Sequence, residues 1–181
     1  LALSSVIELG GKRQARMRFA DARINQAEWE QQAATLDTLG KLTEVYIEGL
    51  STQANLRLAE ESLALSQSIL KTVKARSARG ATAEAEVMRA QAALTRSEIR
   101  LAALLEQLER QKVLLARFWG ETTAGFHSLS GSLFDFGATQ DFDQLYTRVK
   151  SSPALQVLAS EARIRDAEVT LARASGRSDL S

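Results

Sequence analysis

The chain has 181 residues, with 23 Lys and Arg against 22 Asp and Glu, one proline and no cysteine. The balanced charge argues against nucleic acid or another polyanion as a partner. The lack of cysteine excludes disulfides, thiol catalysis and Cys-based metal sites within this chain. Aromatic residues make up 6% of the chain, and alanine, leucine and long polar residues dominate, a composition typical of long helices rather than of a compact α/β enzyme.

The first nine residues differ from everything that follows. Residues 1–9 are apolar and partly alternating, which predicts the end of a strand. Gly10 and Gly11 then break the pattern. Because the segment starts abruptly, we interpret it as the stub of a strand and the chain as a piece of a longer protein.

From Lys12 to about Ala78 the sequence predicts one helix with two apolar stripes. The first stripe has the alternating steps of three and four of a heptad seam, and its members are Leu42, Val45, Gly49, Thr52, Leu56, Ala59, Leu63, Ser66, Leu70 and Val73. The second stripe runs beside it and comprises Ile47, Leu50, Ala54, Leu58, Leu65 and Ile69. Two adjacent stripes indicate a helix with neighbours on two sides, as in a bundle or a helical barrel.

Gly80 interrupts the helical pattern, and a second helix of the same design follows from about Ala83 to Phe118. Its seam comprises Val87, Ala90, Leu94, Ser97, Leu101, Leu104, Leu108 and Leu115, and its second stripe Met88, Ala92, Ile99, Ala102, Val113 and Ala116. Glycine adopts the left-handed conformation of a tight turn at little cost. The sequence therefore predicts a long hairpin whose arms meet near Gly80, with Gly120 as the C-terminal cap of the second arm.

The remainder predicts a different kind of structure. Three glycines punctuate short apolar pieces over residues 121–142, which indicates a small subdomain of strands and loops, followed by a short helix over about 141–150. Ser152 as N-cap and Pro153 in the first turn predict a further helix that ends near Gly176. The predicted domain limits are thus 1–9 for the strand stub, 10–120 for the hairpin, 121–150 for the mixed segment and 151–176 for the last helix.

Four motifs, in order, resemble TolC-like outer membrane efflux channels. They are Glu8-Leu9-Gly10-Gly11-Lys12-Arg13 after a strand, Arg79-Gly80-Ala81-Thr82 with Glu86-Val87 and Ala90 at a turn, Leu114-Leu115-Ala116 with Phe118-Trp119-Gly120 at a helix end, and Ser152-Pro153-Ala154-Leu155. The residues of the first motif are most similar to those of the family branch that exports heavy-metal cations of the cobalt-zinc-cadmium type. The resemblance covers nearly the whole chain.

The resemblance implies an all-α fold: a long antiparallel, coiled-coil-like hairpin that forms part of an α-barrel, with a small mixed equatorial segment and an additional helix. It implies a homotrimer whose barrel strands, missing from this chain, lie in the outer membrane of a Gram-negative bacterium, with this part in the periplasm. It also implies docking of a periplasmic adaptor (membrane fusion protein), together with an inner membrane pump, at the hairpin tip. The tip residues that match are Arg76, Arg79, Gly80, Ala81, Thr82 and Glu86.

No other residues form a convincing site. His127 is the only histidine, and a zinc site needs about four ligands, so we interpret it as a loop residue and expect no metal or cofactor. A basic cluster near the start, Lys12, Arg13, Arg16 and Arg18, lacks the aromatic partners of a nucleic-acid site. No catalytic constellation stands out, so we expect no enzyme. The expected function is a passive, gated conduit for metal cations or drugs. The alternative is a coiled-coil adaptor or scaffold.

Overall fold

The computed structural model describes residues 11–135, 137, 138 and 140–176. Its four helices are α1 (Lys12–Ser77), α2 (Glu84–Arg117), α3 (Phe142–Lys150) and α4 (Pro153–Ser175). The predicted strand stub at residues 1–9 lies outside the described residues. Within them the chain is helical with connecting loops and without strands, so the predicted all-α hairpin fold is confirmed.

The chain divides into two compact units, and the boundary falls inside α1. One unit contains the chain up to Leu39 and from Ala138 onward, and the other contains Gly40–Gly137. No glycine pair, proline or polar run marks this boundary, since α1 continues through it. The domain limits predicted from the sequence follow changes of composition and stay a prediction.

The second unit is built on the hairpin of α1 and α2. The predicted seam is the face that the two arms bury, because Gly49, Thr52, Ala59 and Leu70 of α1 are buried and the other seam members of that arm are half-buried. Leu94, Leu108 and Leu115 are the buried seam positions of α2. The periodicity of the sequence therefore predicts which face of each arm turns inward.

Two polar contacts cross the seam. Ser66 Oγ and Ser97 Oγ lie 3.0 Å apart, and Gln107 Nε2 donates to Thr52 Oγ1 over 3.2 Å. These hydrogen bonds form in only one axial alignment of the two arms. Leucine side chains, in contrast, can pack again after a shift of one helical turn at a smaller cost in free energy. We infer that these two contacts fix the register of the hairpin.

The second apolar stripe is exposed on both arms over most of its length. Leu58, Leu65 and Ile69 of α1 are 60%, 62% and 48% exposed, and Met88 and Ile99 of α2 are 71% and 64% exposed. Leu50, its one buried member on α1, packs in a cluster with Leu115 and Leu129. On α2 the buried member of this stripe is Ala116, which is 0% exposed. Each arm thus has a covered inner stripe and an outer stripe that is exposed over most of its length.

Both arms end in the same hydrogen-bonding motif. At the end of α1, Gly80 (φ +72°) donates to Ser77 C=O over 2.8 Å, and Ala81 donates to Arg76 C=O over 3.0 Å. At the end of α2, Gly120 (φ +85°) donates to Arg117 C=O and Glu121 donates to Ala116 C=O, both over 3.1 Å. This pair of bonds around a left-handed glycine is a Schellman motif, and it explains why the helices stop where these glycines occur.

The predicted strands over 121–142 do not form in the described residues, where the segment is a loop. Its backbone finds other partners. Gln53 Nε2 donates to Leu129 C=O and Leu129 N–H donates to Gln53 Oε1, each over 3.0 Å, and the Tyr46 hydroxyl donates to Ser130 C=O. A side-chain amide on α1 therefore satisfies the backbone groups that a neighbouring strand would otherwise pair.

The first unit joins α4 to the beginning of α1. Arg163 Nη1 donates to Asn25 Oδ1 over 3.0 Å, and Ser160 is 1% exposed. Helix α4 begins at Pro153 after Ser152, as predicted, but the Ser152 side chain makes no capping hydrogen bond. Proline's fixed φ thus marks this helix start more than a capping hydroxyl does. Helix α3 has no buried residue.

Candidate functional site: the hairpin tip

The candidate site is the hairpin tip, which we define as residues 76–86. Arg76 lies in the last turn of α1, and Arg79, Gly80 and Ala81 form the turn that follows. Because Gly80 has a positive φ, the chain reverses within six residues between Ser77 and Glu84. The local sequence therefore places the predicted tip residues together at the end of the hairpin.

Arg76 and Arg79 are exposed. Within the part of the chain that the structure describes, neither guanidinium lies in an ion pair. Their backbones, in contrast, are part of the turn, since Arg76 C=O accepts from Arg79 and from Ala81. The turn thus fixes the backbone of both residues, while their guanidinium groups face solvent.

Glu86 does not pair with Arg76 or Arg79. Its carboxylate pairs with Arg89, three residues further along α2, and the two side chains are 48% and 75% exposed. Arg89 is not among the residues predicted for the tip, although a Glu and an Arg three residues apart on a helix are typical of such a pair. The acidic member of the predicted tip therefore has its counter-charge within α2.

Thr82 does not cap α2. Its hydroxyl donates to Ala81 C=O over 2.8 Å, while Ala83 occupies the N-cap position without a side-chain hydrogen bond. Glu84 and Glu86 in the first turn instead complement the partial positive charge of the helix N-terminus. Thr82 is half-buried, so its place is at the base of the turn.

The tip exposes charged and polar side chains. Its side chains offer charge and hydrogen bonds, and no nucleophile with an adjacent base lies among them. Over the described residues, no group of three or more His, Asp or Glu side chains could hold a metal ion. Among the same residues, no helix is both long and apolar enough to cross a membrane.

Comparison with known proteins defines the family. The family model described as outer membrane efflux protein matches residues 1–121, which include the whole hairpin and its tip. The chain therefore belongs to the outer membrane efflux protein family, and the TolC-like resemblance is confirmed. The family's place is the outer membrane of Gram-negative bacteria, and the described helices correspond to its periplasmic-type part.

Two curated relatives match over most of this chain. The cobalt-zinc-cadmium resistance protein CzcC of Cupriavidus metallidurans is 24% identical over 175 residues, covering 97% of this chain and 42% of the relative. The pyoverdine export outer membrane protein OpmQ of Pseudomonas putida is 25% identical over 169 residues, covering 92% of this chain and 33% of the relative. The chain thus spans less than half the length of each.

Solved structures show the same fold. The outer membrane protein VceC of Vibrio cholerae superimposes with a TM-score of 0.80 at 21% identity, over 96% of this chain and 41% of that chain. The outer-membrane channel OprN gives a TM-score of 0.78 at 19% identity, over 93% of this chain and 38% of that chain. At these identities the likeness concerns the fold, which is that of outer membrane channel proteins.

Proposed function

We propose that this chain is the periplasmic helical part of an outer membrane channel subunit in a tripartite efflux pump, where it acts as a passive, gated conduit. One observation carries the proposal: each arm of the hairpin has a covered inner stripe and an exposed outer stripe. Leu65 and Ile99 on the outer stripes are 62% and 64% exposed, and apolar surface in a row of this kind is typical of a surface that packs against a partner.

In the proposed assembly, three subunits place their hairpins side by side and close a helical barrel. The outer stripes then pack against neighbouring hairpins, and the barrel interior conducts the cargo. Family membership favours this function over the alternative of a coiled-coil adaptor, since the match covers the entire hairpin.

The hairpin tip is the proposed docking point for a periplasmic adaptor, which links the channel to an inner membrane pump. The proposed contact residues are Arg76, Arg79, Gly80, Ala81, Thr82 and Glu86. Support comes from their position, because the turn projects exposed charges beyond the last covered layer of the seam. Gating in this proposal is a movement of the tips on docking.

The proposed cargo is a metal cation or a drug-like molecule. The two curated relatives are named for different exports, one for cobalt-zinc-cadmium resistance and the other for pyoverdine, at nearly the same identity. The test therefore measures both classes. Deleting the gene should sensitise the cells to cobalt, zinc and cadmium or to a panel of drugs, and the full-length protein should restore resistance.

The sharper test changes an outer stripe. Leu65→Asp in the full-length protein should abolish restored resistance, because a carboxylate would be buried between hairpins. Ala64→Asp is the matched control: Ala64 is also exposed but lies on neither stripe, so resistance should persist. Full resistance with Leu65→Asp would exclude the barrel interface on which the proposal depends.

A further inference from the structure

The outer stripe of α1 changes chemistry as it approaches the tip. Past Ile69 the same alternating steps of three and four reach Thr72 and Arg76, both exposed, and Arg79 follows in the turn beyond Ser77, the last residue of α1. A stripe that is apolar at Leu58, Leu65 and Ile69 is thus followed by two exposed arginines. Both lie at the end of the hairpin, past the apolar part of the outer stripe that packs between hairpins in the proposed barrel.

The tip region is also basic relative to the chain. Residues 71–89 contain five Lys and Arg but two Asp and Glu, a net charge of +3, whereas the whole chain has a net charge of +1. The acid Glu86 is paired with Arg89 within α2. Among the described residues, Arg76 and Arg79 have no ion pair, so the excess positive charge is available to a partner.

Helix dipoles account for part of this pattern. Lys74 and Arg76 lie in the last turn of α1, where a positive charge is favourable in any case. Arg79 lies two residues beyond Ser77, the last residue of α1, in the turn that ends the helix, and the dipole favours a cation there as well. What distinguishes Arg76 and Arg79 is therefore their position at the end of the hairpin without an ion pair among the described residues, where a partner's carboxylates can reach them.

We propose that Arg76 and Arg79 select the partner by charge, docking against carboxylates on the surface of the adaptor. This inference rests on the proposed function, because it assumes that the tip docks an adaptor. Opposite charges at a rim speed association and reject partners of the same sign. Docking should consequently weaken as added salt shortens the screening length below about 8 Å.

The experiment uses the full-length protein and the adaptor expressed with it. The 181 residues contain no cysteine, so Ala78→Cys adds one thiol at the tip that can carry a photoactivated crosslinker. Ala78 is exposed and is not one of the proposed contact residues. The reference protein should crosslink to the adaptor. Adding R76E and R79E should lower the yield about tenfold, since two attractive contacts become repulsive. Changing the adaptor carboxylates that contact the tip to Lys should restore the yield.

R96E with R100E is the matched control, because both arginines are exposed on α2 away from the tip and the change of net charge is the same. Its crosslinking should equal that of the reference. Equal crosslinking by R76E/R79E overturns the charge proposal while the docking function stands. If the reference protein itself fails to reach the adaptor, or links to a second copy of this chain instead, both the docking function and the charge proposal are overturned.

Discussion

Leu129 lies over Gly49, so close that a Cβ built on Gly49 would overlap Leu129 Cδ1. Gly49 is a buried seam position of α1, and Leu129 belongs to the loop that follows α2. Leu129 is 8% exposed and packs with Leu50 and Leu115. The missing side chain of one glycine thus makes the space by which the loop is attached to the hairpin.

Gly49→Ala and Gly40→Ala should therefore differ in stability although both replace a glycine inside α1. Alanine is favoured over glycine in a helix by about 1 kcal/mol, and at Gly40 a Cβ meets no atom within 4 Å. At Gly49 the overlap with Leu129 adds a cost of about 1–3 kcal/mol. Denaturant unfolding should show Gly40→Ala stabilised and Gly49→Ala unchanged or destabilised.

A double variant identifies Leu129 as the cause. In a Leu129→Ala background the overlap is absent, so Gly49→Ala should recover the gain of about 1 kcal/mol expected for alanine in a helix. If Gly49→Ala remains unfavourable in that background, some other feature of the seam requires the glycine, and the packing described here is not the reason.

Gln53 should control the order of the loop through its two bonds to Leu129. Gln53→Glu keeps the acceptor for Leu129 N–H and loses the donor to Leu129 C=O, while Gln53→Ala loses both bonds. Each should destabilise the unit by about 1–3 kcal/mol, the cost of a lost partner for a buried polar group. Hydrogen exchange separates them, since the Leu129 amide should exchange faster in Gln53→Ala than in Gln53→Glu. Equal rates in both variants would contradict the assigned bonds.

The contacts of Leu129 belong to the part of the structure that the sequence pattern did not predict. Seam, outer stripes and turn follow from patterns local to a few helical turns, and the structure places them as predicted. Gln53 and Leu129 are 76 residues apart, and no local pattern says that a glutamine on a helix replaces a strand. Short apolar pieces between glycines therefore predicted strands that the described residues lack. The roles of the tip residues stay a prediction, because they depend on a partner.

Replacing Gly80 should lower the free energy of unfolding. Gly80→Val forces a β-branched residue into a left-handed conformation, which costs about 1–2 kcal/mol, while Gly80→Asn should cost less because Asn tolerates that conformation. Gly125→Val is the control, since Gly125 does not have a positive φ and a Cβ there meets nothing within 4 Å. Unfolding midpoints measure the order of the three variants. A Gly80→Val midpoint equal to that of Gly125→Val would contradict a strained turn.

Ser66 and Ser97 provide a test of the hairpin register. Their hydroxyls lie 3.0 Å apart across the seam, which places the two side chains within about the range that a disulfide can span. Ser66→Cys with Ser97→Cys should form a disulfide under mild oxidation, detected as faster migration in non-reducing electrophoresis and a raised unfolding midpoint.

The matched control, Ser68→Cys with Ser97→Cys, should not form a disulfide within one molecule, because Ser68 is exposed and lies off the seam. Efficient bonding of the control pair instead would mean that α1 turns another face toward α2, which would contradict the seam described here.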